Sequence, residues 1–330
     1  MSSRKTYNLS IDKGVSDWIK FLSALMVAFH HYSQYALCSL HESGIVFKIF
    51  SSVGGYLGVA IFFFFSGYGL MESEQKRHLS FLKFIQKRFS KIYLPVLLVT
   101  LLWIGSCHIF DINHQSGDIQ LFTGGGNLNE IFFGFYDGVL WFVKVLIVIY
   151  LAFYAFSALR PINETFAWLL FVILTIVIQV CTNYYIASYA ILSIPFFTIG
   201  VFASEFKDRC FGGFNVSMLP LVVYPAIAIM LNIHIVVVIN SIVIITLISI
   251  CTRWDIKVTC PTILSTLAFD IYLVHNKILM MGRTYTDVFH IWEFVLFTII
   301  AALSFYFIRM LVLQPKEVFP FFRKVRSNIF

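Results

Sequence analysis

Two adjacent histidines end the first apolar run of the chain. Asp17, Lys20, His30 and His31 bracket the uncharged stretch Phe21 to Phe29. Imidazole has an unperturbed pKa of about 6.5, so it takes up or gives away a proton near neutrality. His31 follows Lys20 by eleven residues, about 16 Å along a helix at 1.5 Å per residue. A bilayer entered at Lys20, whose ammonium can snorkel to the interface, therefore holds His31 beyond its midplane. Neighbouring helical residues point about 100° apart, so only one histidine readily faces a given cleft. Capping or cross-linking of helices accounts for either histidine as well as proton transfer does.

Further polar groups interrupt later runs. Gly54, Gly55 and Gly58 precede Phe62 to Phe65 and the segment Ser66-Gly67-Tyr68-Gly69. The glycines allow close helix approach, and Ser66 adds a hydroxyl, but no G-x-S-x-G nucleophile elbow is present. Arg88-Phe89-Ser90-Lys91 precedes a span opening at Ile92-Tyr93-Leu94-Pro95. Such a basic pair suits a phosphate-bearing cosubstrate, and equally suits anchoring at the membrane face. Trp141 fits an aromatic belt, while Lys144 can snorkel outward, pair with Asp137 or serve a polar acceptor. Asp270, Tyr272 and His275 stand in a late run; Asp270 and His275 are five apart, a spacing that implies no direct pair. His234 marks a boundary between two spans. None of the nine histidines forms H-E-x-x-H or another compact ligand pattern, so no metal is expected.

These groups need a scaffold that tolerates hydrocarbon. Only 12% of the 330 residues are charged and 59% are apolar, against roughly 25% charged in a soluble domain. Runs of about 20 residues, each enough to span, fall near 19–38, 53–71, 93–109, 138–157, 165–182, 187–204, 217–233, 236–252, 262–280 and 290–312. The expected fold is all-α, a polytopic integral membrane protein of about ten transmembrane helices. The division at 233–236 is the weakest, because no charge interrupts Leu219 to Ile250. The domains read as a cytoplasmic segment 1–18, a membrane domain 19–312 and a basic cytoplasmic tail 313–330.

Lys and Arg gather on one side: Lys76, Arg77, Lys83, Lys87, Arg88, Lys91, Arg160, Lys207, Arg209, Arg253, Lys257 and the tail. The positive-inside rule then puts both termini in the cytoplasm and requires an even number of spans. The net charge of +7 is mostly this orientation signal, and short helix flanks do not make a nucleic-acid domain. The outer loop 110–137 carries Asp111, Asp118, Glu130, Asp137 and Gly124 to Gly126, and suits a cover or a plain connector. Six cysteines without C-x-x-C spacing fit apolar packing. The first run is too long for a cleaved signal peptide.

The ordered motifs resemble the membrane-bound acyltransferase-3 family, which includes bacterial O-acetyltransferases of surface polysaccharides. Asp17-Trp18-Ile19-Lys20, ten intervening residues and His31 resemble its acidic-basic-histidine opening, and select His31 over His30 as the residue matching the family's essential histidine. Gly58 through Tyr68 is similar to its glycine-valine, aromatic and serine-glycine segment. Arg88 and Lys91 resemble its basic pair, Trp141-Phe142 its fourth-helix element, and Tyr272-Leu273-Val274-His275 its late tyrosine-leucine-histidine element. Lys20 and Lys91 stand where Arg is more usual, which keeps the charge and loses the planar fork.

The resemblance implies transfer of an acyl group, acetyl above all, from an acetyl-CoA-like donor to a hydroxyl of an envelope polysaccharide or lipid-linked sugar, with no permanently bound cofactor. His31 would be general base or acyl relay; Asp17, Lys20 and Ser66 complete the catalytic candidates; Arg88 and Lys91 would meet the donor's phosphates. Trp141, Lys144, Tyr272 and His275 are acceptor-site or structural candidates. The implied location is the bacterial cytoplasmic membrane, with membrane lipids and envelope-biosynthesis proteins as partners and no nucleic acid. A transporter or exporter of a small polar solute, with His31, Lys144 and Asp270 on its route, is the alternative of another class.

Overall fold

A chain in hydrocarbon must satisfy its own backbone, and a helix does so residue by residue. The computed structural model describes residues 11–109, 141–185, 189–211 and 214–313. The 110–137 segment with its four carboxylates, among them Asp137, the partner expected for Lys144, lies outside them, as do residues 314–330 of the basic tail. The described elements are α1 (Lys13–Cys38), α2 (Ile45–Ile49), α3 (Gly55–Lys76), α4 (Phe81–Arg88), α5 (Leu94–Ile109), α6 (Trp141–Leu159), α7 (Glu164–Tyr185), α8 (Pro195–Glu205), α9 (Leu219–Met230), α10 (Val236–Arg253), α11 (Thr262–Tyr285) and α12 (Ile291–Leu313). A short antiparallel hairpin, Cys210–Phe211 with Phe214–Asn215, is the one departure from helix among them.

Among the described residues seven helical runs are long and apolar enough to cross a membrane: Ile45–Lys76, Phe81–Cys107, Trp141–Leu159, Glu164–Asn183, Val236–Arg253, Thr262–Tyr285 and Ile291–Leu313. The protein is thus all-α and multi-spanning. Each of the ten sequence runs overlaps a described helix, but not all ten meet both requirements. Ile191–Glu205 and Val216–Met230 are shorter apolar helices. The first helix is 26 residues long but is not among the seven, because even its uncharged stretch 21–38 carries the polar run His30, His31, Tyr32, Ser33, Gln34 and Tyr35. The second run reaches from Ile45 to Lys76 rather than over 53–71, because a π-helical turn, Phe50–Gly54, joins α2 to α3 without a break. Two helices do replace the uncharged stretch after Leu219. Asn232 turns the chain at φ 52°, and His234 Nδ1 accepts the Val236 N–H at 3.3 Å to open α10.

The chain divides into two compact units, Met1–Phe81 with Val145–Ser265 and Leu82–Lys144 with Thr266–Phe330. In the first unit α3 packs against α1 and α8 through glycines. A Cβ on Gly67 would lie 2.0 Å from the Phe197 carbonyl oxygen, and one on Gly200 2.1 Å from that of Phe64, so these two backbones touch where no side chain fits. Gly58 meets Val27 and the Ser23 carbonyl in the same way. Around this seam Phe153, Phe156, Trp168, Phe171, Phe197 and Phe202 interlock, with Phe156 and Trp168 rings 4.5 Å apart.

One end of α3 is ionic. Glu72 is bonded to Lys207 and accepts the Ser204 hydroxyl at 3.0 Å. Glu205 accepts Arg160 at 2.8 Å and Gln75 at 2.9 Å, while Glu74 is bonded to His78 and Ser157. Arg160 and Lys207, read from sequence as orientation signals, also clamp helix ends together.

Candidate functional site

The first unit holds the histidine pair. Asp12 caps α1, its carboxylate accepting the N–H groups of Gly14 and Val15. One turn in, Lys20 and Asp17 stand 3.9 Å apart, both partly exposed, a weak contact in such surroundings. His30 is only 4% exposed. Its Nδ1 lies 2.8 Å from the Phe50 carbonyl oxygen, and since a carbonyl can only accept, Nδ1 carries the proton. That carbonyl opens the π-helical turn between α2 and α3. The His30 ring also fills the space beside Gly55, where a Cβ would come within 2.4 Å of it, and stands 5.4 Å from the Tyr56 ring.

His31 differs. It is half-buried, with its ring 5.1 Å from that of His30 and turned 74° to it. Helical geometry has thus given two identical side chains different orientation and burial. Ser66 is half-buried on α3, but Gly55 is the α3 residue that meets His30. Eleven residues further on, Ser66 is displaced about 16 Å along the helix axis. Asp17 and Lys20 lie at a similar remove along α1.

The second unit holds the other candidates. Arg88 ends α4 half-buried, its guanidinium 5.5 Å over the Phe84 ring. Lys91 is exposed on a second π-helical turn, Phe89–Tyr93, which leads into α5. Such turns recur at functional sites because they re-aim side chains without ending a helix. Trp141 is buried and Lys144 half-buried at the start of α6. The Phe142 ring meets that of Tyr272 at 5.5 Å, which brings together two elements distant in sequence. Tyr272 is in turn 5.9 Å from His275. His275 is wholly buried, and its Nδ1 donates to the Ile271 carbonyl of its own helix at 3.1 Å.

Sequence reasoning missed two arrangements. Asp270 is wholly buried and accepts Arg309 at 2.8 Å; a lone Arg in the last apolar run was the available signal, since intramembrane charges pair. Ser193 donates to the Tyr56 carbonyl at 3.1 Å, and Asn240 Nδ2 approaches it at 3.5 Å. Asn240 and Ser241, polar neighbours in an apolar helix and both wholly buried, marked that contact. Among the described residues no group of three His, Cys, Asp or Glu is placed to hold a metal ion.

A family model described as an acyltransferase domain matches residues 15–312. The chain belongs to the acyltransferase-3 family. Neither a curated protein nor a solved structure gives a significant match. Membership in this acyltransferase family supports enzymatic transfer of an acyl group in general. The matched stretch contains every candidate from Asp17 to His275.

Proposed function

We propose that this acyltransferase-3 protein moves acetyl from a CoA thioester to a hydroxyl of an envelope polysaccharide or lipid-linked sugar in the bacterial cytoplasmic membrane, with His31 as the proton-transfer group. The observation that carries this reading is the unequal histidine pair. His30 has Nδ1 committed to the Phe50 carbonyl and is buried, whereas His31 keeps part of its surface accessible.

In the reaction His31 takes the proton of the acceptor hydroxyl while its oxygen attacks the thioester carbonyl carbon. The tetrahedral intermediate expels the thiolate, which receives that proton from the imidazolium. In a relay version the imidazole nitrogen attacks the thioester carbonyl carbon and expels the thiolate, which leaves as the thiol with the imidazole proton. The acceptor oxygen then attacks the acyl-imidazole, the C–N bond breaks and the hydroxyl proton returns to the imidazole, so that one protein group carries the acyl between two substrates. Arg88 and Lys91 would bind the donor's phosphates on the cytoplasmic side, and a basic pair next to a π-helical turn supports that role.

The test is incubation of purified protein with isotopically labelled acetyl-CoA and envelope glycan or glycolipid. Label is expected on the glycan in step with thioester loss, and neutralising Arg88 and Lys91 should weaken the response to donor more than to acceptor. Solute flux across proteoliposomes with no thioester consumed would instead establish transport.

A further inference from the structure

The helix from Phe81 to Cys107 is longer than a crossing needs. It runs 27 residues, while about 20 residues cross the roughly 30 Å of hydrocarbon. From Ile92 through Ile109 it carries no Lys, Arg, Asp or Glu, so the hydrocarbon begins near Ile92. The turns from Phe81 to Lys91 occupy about 16 Å at 1.5 Å per residue, enough to traverse the headgroup layer of about 5–8 Å.

Those turns present three different faces. Phe84 is buried and lies under Arg88, which makes the protein-facing side. Leu82, Ile85 and Phe89 follow one another at three- and four-residue spacing, with Leu82 78% and Phe89 47% exposed. Lys83 and Lys87, four apart, share another face and are both exposed. Among the described residues no ion pair engages either lysine, and the sequence has no Asp or Glu between Gln75 and Phe110. In the first unit Arg160 and Lys207 are, by contrast, each bonded to a carboxylate. An apolar stripe beside an uncompensated cationic one, at headgroup depth, is the pattern of an interfacial amphipathic helix.

We propose that Lys83 and Lys87 form a binding surface for the headgroups of anionic phospholipids, with Leu82 and Phe89 seated in the adjoining acyl boundary. The ligand chemistry is a phosphodiester anion held beside hydrocarbon. Free phosphates lack the second half of that description, and Leu82 and Phe89 have no use for them. The surface is independent of turnover and of the roles assigned to Arg88 and Lys91.

The test uses the full chain in mixed micelles of phosphatidylglycerol and phosphatidylcholine, with retained lipids read by native mass spectrometry. The wild-type protein should prefer phosphatidylglycerol, and the preference should fall with added salt. The double variant K83Q/K87Q should lose about five- to thirtyfold of it, K83R/K87R should keep it, and binding of free CoA by equilibrium dialysis should be the same in all three. An unchanged preference in K83Q/K87Q, or an equal loss in K83R/K87R, overturns the proposal. So does weaker CoA binding with the lipid preference intact, which would make the donor the ligand of these lysines. Should K83Q/K87Q not fold, the salt response of the wild-type protein and the retention in K83R/K87R decide by themselves.

Discussion

The histidine regions of the two units solve the same problem by different means. Near His30 the imidazole itself ties separate segments together, bonding across to the Phe50 carbonyl. Near His275 the imidazole bonds to Ile271 of its own helix, and Asp270 and Arg309 tie two helices through an ion pair. In the first region an imidazole N–H bonds to the carbonyl that opens a π-helical turn, beside the half-buried His31. In the second a pair of charges holds two helices and the histidine lies wholly inside. Residue type alone therefore does not say what a membrane histidine does; its nearest available carbonyl does.

The sharpest way to break this comparison is to exchange the members of the first region. His31→Ala should lower acyl transfer by about 10²- to 10⁴-fold per folded molecule, whereas His30→Ala should retain much more activity. His31→Gln, which keeps a polar side chain of similar size, should not restore the rate. Near-normal turnover in both His31 variants at matched abundance would sink the catalytic role.

Asp270→Ala tests the second region. It strands the Arg309 guanidinium among buried groups, and breaking such a pair costs about 3–5 kcal/mol. Unfolding in detergent titrations should show the loss, and the double variant D270N/R309Q should be more stable than Asp270→Ala alone because no charge is left uncompensated. Equal stability of the two would mean that the pair is solvated and the contrast between the units false.

Smaller effects sharpen the boundary of each region. Gly67→Ala places a Cβ against the Phe197 carbonyl, an overpacking worth about 1–3 kcal/mol, and should lower the melting temperature with little change in donor response. His30→Ala removes one hydrogen bond between segments, about 0.5–1.5 kcal/mol. It should also speed hydrogen exchange over Phe50–Gly54, which His275→Ala should leave alone. Glu72→Gln, at the partly exposed end of α3, should cost only about 0.2–1 kcal/mol, less at high salt. A loss as large as that of Asp270→Ala would show the ionic end of α3 to be as shielded as the buried pair.

Much of the architecture was legible because the requirement that makes a spanning helix is local. A segment in hydrocarbon must bond its own backbone and show apolar side chains, and both properties can be read within about 20 residues. Seven helical runs among the described residues are accordingly long and apolar enough to cross, the ten runs overlap helices, and the break after Leu219 was found despite the lack of charge. Helix ends were less legible, because π-helical turns at Phe50–Gly54 and Phe89–Tyr93 carry helices past the points where apolarity stops.

The sequence by itself determined the membrane setting, the approximate helices and the short set of polar residues able to do chemistry. Tertiary structure alone gave His30 the Phe50 carbonyl, because that carbonyl comes from another segment. It also gave Asp270 the partner Arg309, gave Gly67 a backbone contact on α8, and assigned Arg88, Lys91 and His275 to a different unit from His31. Backbone satisfaction is a property of neighbours along the chain. The choice of a polar partner is a property of neighbours in space, and a buried donor takes the acceptor that packing brings within about 3 Å.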